Sequence, residues 1–135
     1  MRTCPCHSGL RYPACCKPLH DGARDAETPQ ALMRSRYAAF ALGLGDYLVR
    51  TLASDHADRE GDLEQLAIAL SRARGTQRFL GLTILEAKAD GDVGEVTFHA
   101  RIFERGADRS FTERSTFRKE GGAWRYVGGL LAQFG

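Results

Sequence analysis

All four cysteines of this 135-residue chain lie close to its N-terminus, and thiolates are side chains that bind soft metal ions well. They are Cys4, Cys6, Cys15 and Cys16. Neighbouring Cα atoms lie about 3.8 Å apart, below the usual disulfide range, so a Cys15–Cys16 bridge would be strained. A Cys4–Cys6 bridge is also awkward, and the remaining pairings require an oxidising compartment that nothing in the sequence indicates.

A bound metal ion explains this spacing better than free thiols or a redox pair. Residues 4–6 can form one turn that presents two sulfurs, and Gly9 lets the chain reverse so that residues 15–16 close the site. Zinc favours four thiolates in a tetrahedron with no open position, so we expect one structural zinc ion. His20 lies close enough to replace a cysteine, although a packing or surface histidine is its default interpretation.

The pattern Cys-Pro-Cys-x-Ser-Gly-x-x-Tyr-x-x-Cys-Cys resembles the SEC-C motif, a zinc module found at the C-terminus of the SecA translocation motor and in many small bacterial proteins. The resemblance implies that the four cysteines are the zinc ligands. The motif usually has glycine where this chain has His7, and it gives that position no ligand role.

Three further stretches resemble the YchJ-like family, so the similarity spans nearly the whole chain. They are residues 15–22, 31–40 and 124–129. That family joins a SEC-C motif to a cone-shaped α+β domain of the nuclear transport factor two (NTF2) type. The resemblance implies a zinc-binding motif at residues 1–22, an NTF2-like domain at residues 23–135, and a curled sheet that encloses a pocket.

Composition sets limits on the class of protein. A hydrophobic content of 43% is ordinary for a globular core, and the length fits one domain with a small appendage. A net charge of +2 is too mild to predict nucleic-acid binding. No apolar segment predicts a signal peptide or a membrane span, so we expect a cytoplasmic protein whose thiols stay reduced.

Hydrophobic spacing predicts three helices in the first half of the domain. Thr28 and Pro29 are typical of a helix start, and the glycines at positions 43 and 45 should end that helix. Asp46 is expected to cap a second helix, and a third should lie around residues 63–70.

Alternation with a period of two then predicts four strands, at residues 78–88, 93–104, 109–119 and 123–131. We therefore predict an α+β fold in which an N-terminal zinc knuckle precedes three helices packed on a curved, mainly antiparallel four-stranded sheet. Trp124, on the last strand, should be buried.

Two charged residues fall on faces that are otherwise apolar. Arg36 lies inside the apolar arc of the first helix, and Glu113 shares a strand face with Phe111 and Phe117. Arg36 either extends to water along its aliphatic stem or pairs with another charge. We predict a buried salt bridge between Arg36 and Glu113, since both would point into one interior.

Two functions compete on this basis. The favoured one is a non-enzymatic protein-interaction module whose zinc knuckle, with a basic rim of Arg2, Arg11, Lys17 and Arg24, binds partners of the secretion or ribosome-associated machinery. The alternative is a small-ligand-binding protein or enzyme that uses a pocket formed by Arg36, Tyr37, Glu113 and Tyr126. A dry, packed interior would favour the first hypothesis, and a polar cavity would favour the second. No spacing singles out a nucleophile and its base.

Overall fold

The structure is a computed structural model that describes residues 3–131. The α-helices in this range are α1 (Lys17–His20), α2 (Pro29–Leu42), α3 (Gly45–Arg50), α4 (Leu63–Ser71) and α5 (Ala73–Thr76). The β-strands are β1 (Gln77–Asp90), β2 (Val93–Glu104), β3 (Ala107–Asp108), β4 (Phe111–Glu120) and β5 (Ala123–Leu131). Short 3₁₀ turns at Tyr12–Ala14 and Ala57–Glu60 complete the regular structure of these residues.

The strands form one antiparallel sheet in the order β1-β2-β4-β5, and β3 pairs with β2. The predicted α+β class and antiparallel sheet are therefore confirmed. The predicted numbers of elements are wrong, because the described chain adds the short helices α1 and α5 and a fifth strand, β3. Strand β3 has only two residues, which is too few for an alternation of apolar and polar side chains to be recognised in the sequence.

Helix α2 begins and ends as its sequence predicts. The Thr28 hydroxyl accepts a hydrogen bond from the Ala31 amide at 3.0 Å, Pro29 occupies the first turn, and Gly43 ends the helix in a left-handed conformation with φ of 74°. The second helix differs, since Leu44 rather than Asp46 precedes it and Asp46 lies inside its first turn. Gly45, the first residue of α3, packs directly against the backbone of Ala67, where a side chain would not fit.

The main core lies between α2 and the concave face of the sheet. Leu32 and Tyr37 on α2 meet buried strand residues such as Val96 and Phe117. Register shifts place β-bulges in β1 and in β5, and bulges bend strands and increase their twist.

The burial predicted for Trp124 is confirmed. Its side chain is 4% exposed, and its indole nitrogen donates a hydrogen bond to the Glu27 carbonyl at 3.3 Å. This contact ties the last strand to the segment that leads into α2. Across residues 3–131, the helices all fall short of the length and apolar character needed to cross a bilayer.

Candidate metal centre and ligand cavity

The sulfur atoms of the four cysteines form a compact cluster in which all lie within 4.8 Å of one another. Cys15 Sγ lies 3.6 Å from Cys6 Sγ and 3.9 Å from Cys16 Sγ. A tetrahedron with metal–sulfur bonds of about 2.3 Å has sulfur–sulfur edges of about 3.8 Å. Disulfide bonds are about 2.05 Å long, so these four are free thiols with the spacing of a four-thiolate metal site.

The loop that carries the first two cysteines is closed by its own backbone. The Cys4 amide donates to the Leu10 carbonyl at 2.7 Å, and the His7 amide donates to the Cys4 carbonyl at 3.1 Å. His7 and Gly9 adopt left-handed conformations, with φ of 62° and 88°. Glycine adopts this conformation readily, whereas His7 does so at some conformational cost.

Burial and hydrogen bonding within the cluster shift the pKa values of its thiols in opposite directions. Burial raises the pKa of Cys4 to about 11, whereas a hydrogen bond from Cys16 lowers the pKa of Cys6 to about 4. The same hydrogen bond raises the pKa of Cys16. One thiolate is thus stabilised by neighbouring thiols, and several thiolates at these distances need a cation among them.

The two nearby histidines have other partners. His20 is buried, with Nδ1 at 2.7 Å from the Tyr12 hydroxyl and Nε2 at 2.8 Å from the Ser35 carbonyl. The default interpretation of His20 as a packing residue therefore holds. His7 Nε2 lies 3.1 Å from the Phe79 carbonyl on β1.

The cysteine cluster packs on the outer side of α2. Arg34 donates a hydrogen bond to the Cys6 carbonyl at 3.0 Å, and the fully buried Ala38 contacts the sulfurs. Arg36 and Tyr37 on the same helix line the interior, and the buried residues around the cysteines form a cluster separate from the main core.

The interior contains a cavity of about 490 Å³ between α2 and the sheet. Its walls are mainly apolar and include Met33, Phe79, Phe98, Ile102, Phe111 and Phe117. All four predicted pocket residues, Arg36, Tyr37, Glu113 and Tyr126, line this cavity. A largely apolar cavity with a few convergent polar groups is the usual form of a small-molecule site.

Arg36 is 8% exposed, so the interpretation in which its head group reaches bulk water is wrong. Its Nη1 atom donates to the Leu48 carbonyl at 2.8 Å and to the Thr51 hydroxyl at 2.6 Å. Its Cζ atom lies 4.6 Å from the centre of the Tyr126 ring. Burial lowers the pKa of Arg36 to about 10, which leaves the side chain charged at neutral pH.

Tyr126 is held by the segment that follows α3. Its amide donates to the Thr51 carbonyl and its carbonyl accepts from the Ala53 amide, both at 2.8 Å. Burial, followed by the charge of Glu113, raises the pKa of Tyr126 to about 12, so its hydroxyl remains a donor at neutral pH. The segment 51–53 therefore positions the Tyr126 ring through its backbone and, through the Thr51 hydroxyl, the guanidinium of Arg36 that lies over this ring.

Glu113 reaches the cavity from β4. Its Oε2 atom accepts a hydrogen bond from Ser115 at 2.5 Å and from Tyr126 at 3.4 Å. Gly129 on β5 pairs with Ser115, two residues along β4 from Glu113, and a side chain at Gly129 would overlap the Glu113 carboxylate. The missing side chain at position 129 thus leaves the space that Glu113 occupies.

The predicted salt bridge between Arg36 and Glu113 is wrong. Within residues 3–131 these side chains form no ion pair, although both line the same cavity. Arg36 instead binds the carbonyl of Leu48 in the last turn of α3. Last-turn carbonyls lack helical partners and carry the negative end of the helix dipole, so they attract a cation.

The hydroxyl of Tyr37 already donates to the Gly81 carbonyl at 3.0 Å, so Tyr37 contributes its ring to the cavity wall rather than a hydrogen-bond donor. Several polar lining residues were not predicted, among them His56, Asp58 and Arg109, which lie outside the α-helices and β-strands. His56 stacks on Tyr126 with ring centres 5.9 Å apart. Outside regular elements, hydrophobic periodicity does not predict which way a side chain points.

Comparison with known proteins agrees with this architecture. The family model described as "YchJ, middle NTF2-like domain" matches residues 28–129. The chain thus belongs to the YchJ family, with an NTF2-like α+β domain that follows the cysteine cluster.

Several relatives match over nearly the whole chain. A UPF0225 protein from Deinococcus radiodurans is 42% identical, covering 94% of this chain and 88% of the relative. The UPF0225 protein YchJ of Shigella dysenteriae is 39% identical, with coverage of 98% and 85%. The solution structure of a SEC-C motif containing protein from Rhodopseudomonas palustris has a TM-score of 0.83 at 39% identity, and covers 96% of this chain and 98% of its own.

Proposed function

We propose that this protein binds a small organic ligand in the cavity between α2 and the sheet, and that a structural zinc ion in the cysteine cluster fixes the knuckle against α2. The observation that carries the proposal is a largely apolar cavity of about 490 Å³ whose wall contains Arg36 and Glu113 without an ion pair between them. The volume lies within the range of roughly 300–1,000 Å³ that is usual for small-molecule sites.

The unused hydrogen-bonding capacity of Arg36 supports this proposal. Nη1 binds Leu48 and Thr51, while Nε and Nη2 have no protein partner among residues 3–131. No fully buried side-chain nitrogen or oxygen in this part of the chain lacks a partner, so these two nitrogens keep some accessible surface. A guanidinium that is mostly removed from water is best stabilised by an acceptor at those positions.

Zinc is the metal that the donor set favours. Four thiolates at tetrahedral spacing leave no open coordination position, which supports a structural role. Elemental analysis should find one equivalent of zinc in protein purified under reducing conditions. Cys4→Ser should lose the ion and Thr3→Ser should retain it, whereas iron or no metal in the wild-type protein would contradict the assignment.

Protein binding through the knuckle stays a prediction. The exposure of Arg11 and Arg24 supports it, while Lys17 is paired with Asp21 at 2.5 Å and Arg2 lies outside the described residues. The interior is an open cavity with charged residues in its wall rather than a dry, packed core, which supports the ligand hypothesis. The cytoplasmic location also stays a prediction, supported by the four free thiols.

Binding of the neutral fluorophore N-phenylnaphthylamine tests the ligand proposal. Its emission should rise on addition of the protein and saturate at one equivalent. Ala73→Phe, which places a ring in the cavity wall, should weaken binding, whereas Ala69→Phe on the exposed side of α4 should not. No saturable binding by the wild-type protein, or equal binding by both variants, would contradict the proposal.

A further inference from the structure

The cavity contains two side chains of opposite charge that are separated by one aromatic ring. The guanidinium of Arg36 lies over the face of Tyr126, and the hydroxyl of that ring donates to Glu113. At the mouth, the exposed residues Asp58 and Arg109 are again of opposite sign. The charges around the cavity therefore balance.

Both inner charges have binding capacity left over. The Nε and Nη2 atoms of Arg36 have no protein partner in residues 3–131. Glu113 uses Oε2 to accept from Ser115 and Tyr126, whereas Oε1 has no hydrogen-bond donor in the same part of the chain. The site thus offers donors at one end and an acceptor at the other.

We infer that the ligand is a zwitterion with an apolar body, an aromatic α-amino acid being the simplest example, and this inference rests on the proposed ligand-binding function. Its carboxylate would accept from Arg36 and its ammonium group would donate to Glu113. Each hydrogen bond between ligand and protein spans about 2.9 Å between its donor and acceptor atoms. We expect a head group with both charges on neighbouring carbons to reach across Tyr126, whose ring centre lies 4.6 Å from the guanidinium carbon and whose hydroxyl lies 3.4 Å from Glu113 Oε2.

A ligand with a single charge fits less well. A carboxylic acid without an amine would cover Glu113 with apolar surface and leave its Oε1 atom desolvated. An amine without a carboxylate would do the same to Arg36 and be repelled by it. Removing a charged group from water without pairing it is unfavourable, so the pair discriminates against both kinds of ligand.

The aromatic side of the cavity suits the body of such a ligand. The rings of Phe98 and Phe111 meet edge to face at 6.0 Å between centres, and those of Phe117 and Tyr126 do so at 5.9 Å. An additional ring among them gains both apolar burial and favourable ring contacts.

The test uses three probes that differ only in their charges: L-phenylalanine, hydrocinnamate, which lacks the ammonium group, and phenethylamine, which lacks the carboxylate. Each competes with N-phenylnaphthylamine for the zinc-loaded protein. We expect L-phenylalanine to compete at concentrations at least about tenfold lower than either analogue, a difference typical of one additional charge-assisted hydrogen bond.

Glu113→Gln keeps the shape of the side chain and removes its charge. In this variant L-phenylalanine should compete no better than hydrocinnamate does. Glu86→Gln, which changes an exposed residue on β1, should leave the competition as in the wild-type protein. Thermal melting checks that both variants are folded.

The outcomes separate the two proposals. Equal competition by the three probes, stronger competition by a singly charged one, or no competition at all overturns the zwitterion inference while fluorophore binding still supports a ligand cavity. If neither the fluorophore nor L-phenylalanine binds, as measured by titration calorimetry, the proposed ligand-binding function fails as well.

Discussion

The guanidinium of Arg36 stacks on the ring of Tyr126, with 4.6 Å between its central carbon and the ring centre. The hydroxyl of the same ring donates to the Glu113 carboxylate at 3.4 Å. Tyr126 thus contacts both charged residues of the cavity, and Arg36 and Glu113 act on each other across it.

Double-mutant cycles should reveal this arrangement. Arg36→Met should cost about 1–3 kcal/mol, because it removes the hydrogen bonds to Leu48 and Thr51. Its coupling with Tyr126→Leu should be on the order of 1 kcal/mol, as for a buried cation–π contact. Coupling with Glu113→Leu should be smaller, and chemical denaturation measures all three terms. A larger coupling with Glu113 would indicate that the two charges pair directly in solution.

Adjacent glycines on β5 provide a matched pair of variants. A side chain at Gly129 would overlap the Glu113 carboxylate, whereas one at Gly128 has open space within 4 Å. Gly129→Ala should lower the free energy of unfolding by about 1–3 kcal/mol through overpacking and should weaken L-phenylalanine binding. Gly128→Ala should leave both quantities close to wild type. Equal effects of the two variants would show that Glu113 does not occupy the space beside Gly129.

Trp124 should emit at blue-shifted wavelengths because its side chain is 4% exposed. Trp124→Ala should destabilise the protein by roughly 3–5 kcal/mol, as for other large aromatic truncations. Trp124→Phe keeps most of the apolar contact and loses only the hydrogen bond to Glu27, so it should cost on the order of 1 kcal/mol. Water-like emission from the wild-type protein would contradict the assignment of strand faces.

Metal removal should disorder the knuckle and leave the sheet folded. Structural zinc contributes on the order of 10–16 kcal/mol to zinc-finger peptides, and the knuckle has little apolar core of its own, so chelation should disorder it. Arg34 and Ala38 contact the knuckle, so α2 amides near them should lose protection against hydrogen exchange. The sheet should stay folded because its core lies on the other side of α2. Collapse of the dispersed sheet amide signals on chelation would contradict this separation.

Much of the fold follows from local rules. The helix start at Thr28, its end at Gly43 and the hairpin turn at Gly91 are set by capping and by glycine's access to positive φ, both of which are visible in sequence. The short strand β3 and the start of α3 were not predicted correctly. Strand β3 has only two residues, which pair with the end of β2 across a turn, and Gly45 at the start of α3 packs against Ala67, which is distant in sequence.

The cavity could be predicted only in part. Helical and strand periodicity identified Arg36 and Glu113 as charges on inward faces, and both line the cavity. Their pairing was predicted incorrectly, because the attraction of Arg36 to the end of α3 depends on how two helices pack. His56 lies in a loop, where the sequence has no hydrophobic periodicity that would predict its contact with Tyr126.

The most direct test of a zwitterion site in the cavity is the side-chain Nε–H resonance of Arg36, observed by proton–nitrogen NMR and assigned by its loss in Arg36→Lys. Titration with L-phenylalanine should shift this resonance saturably, together with backbone amides of Glu113 and Tyr126, while amides of the outward-facing His99 and Arg114 stay in place. An unchanged Arg36 resonance at saturating L-phenylalanine, or shifts confined to the outer face of the sheet, would contradict binding of a zwitterion in the cavity.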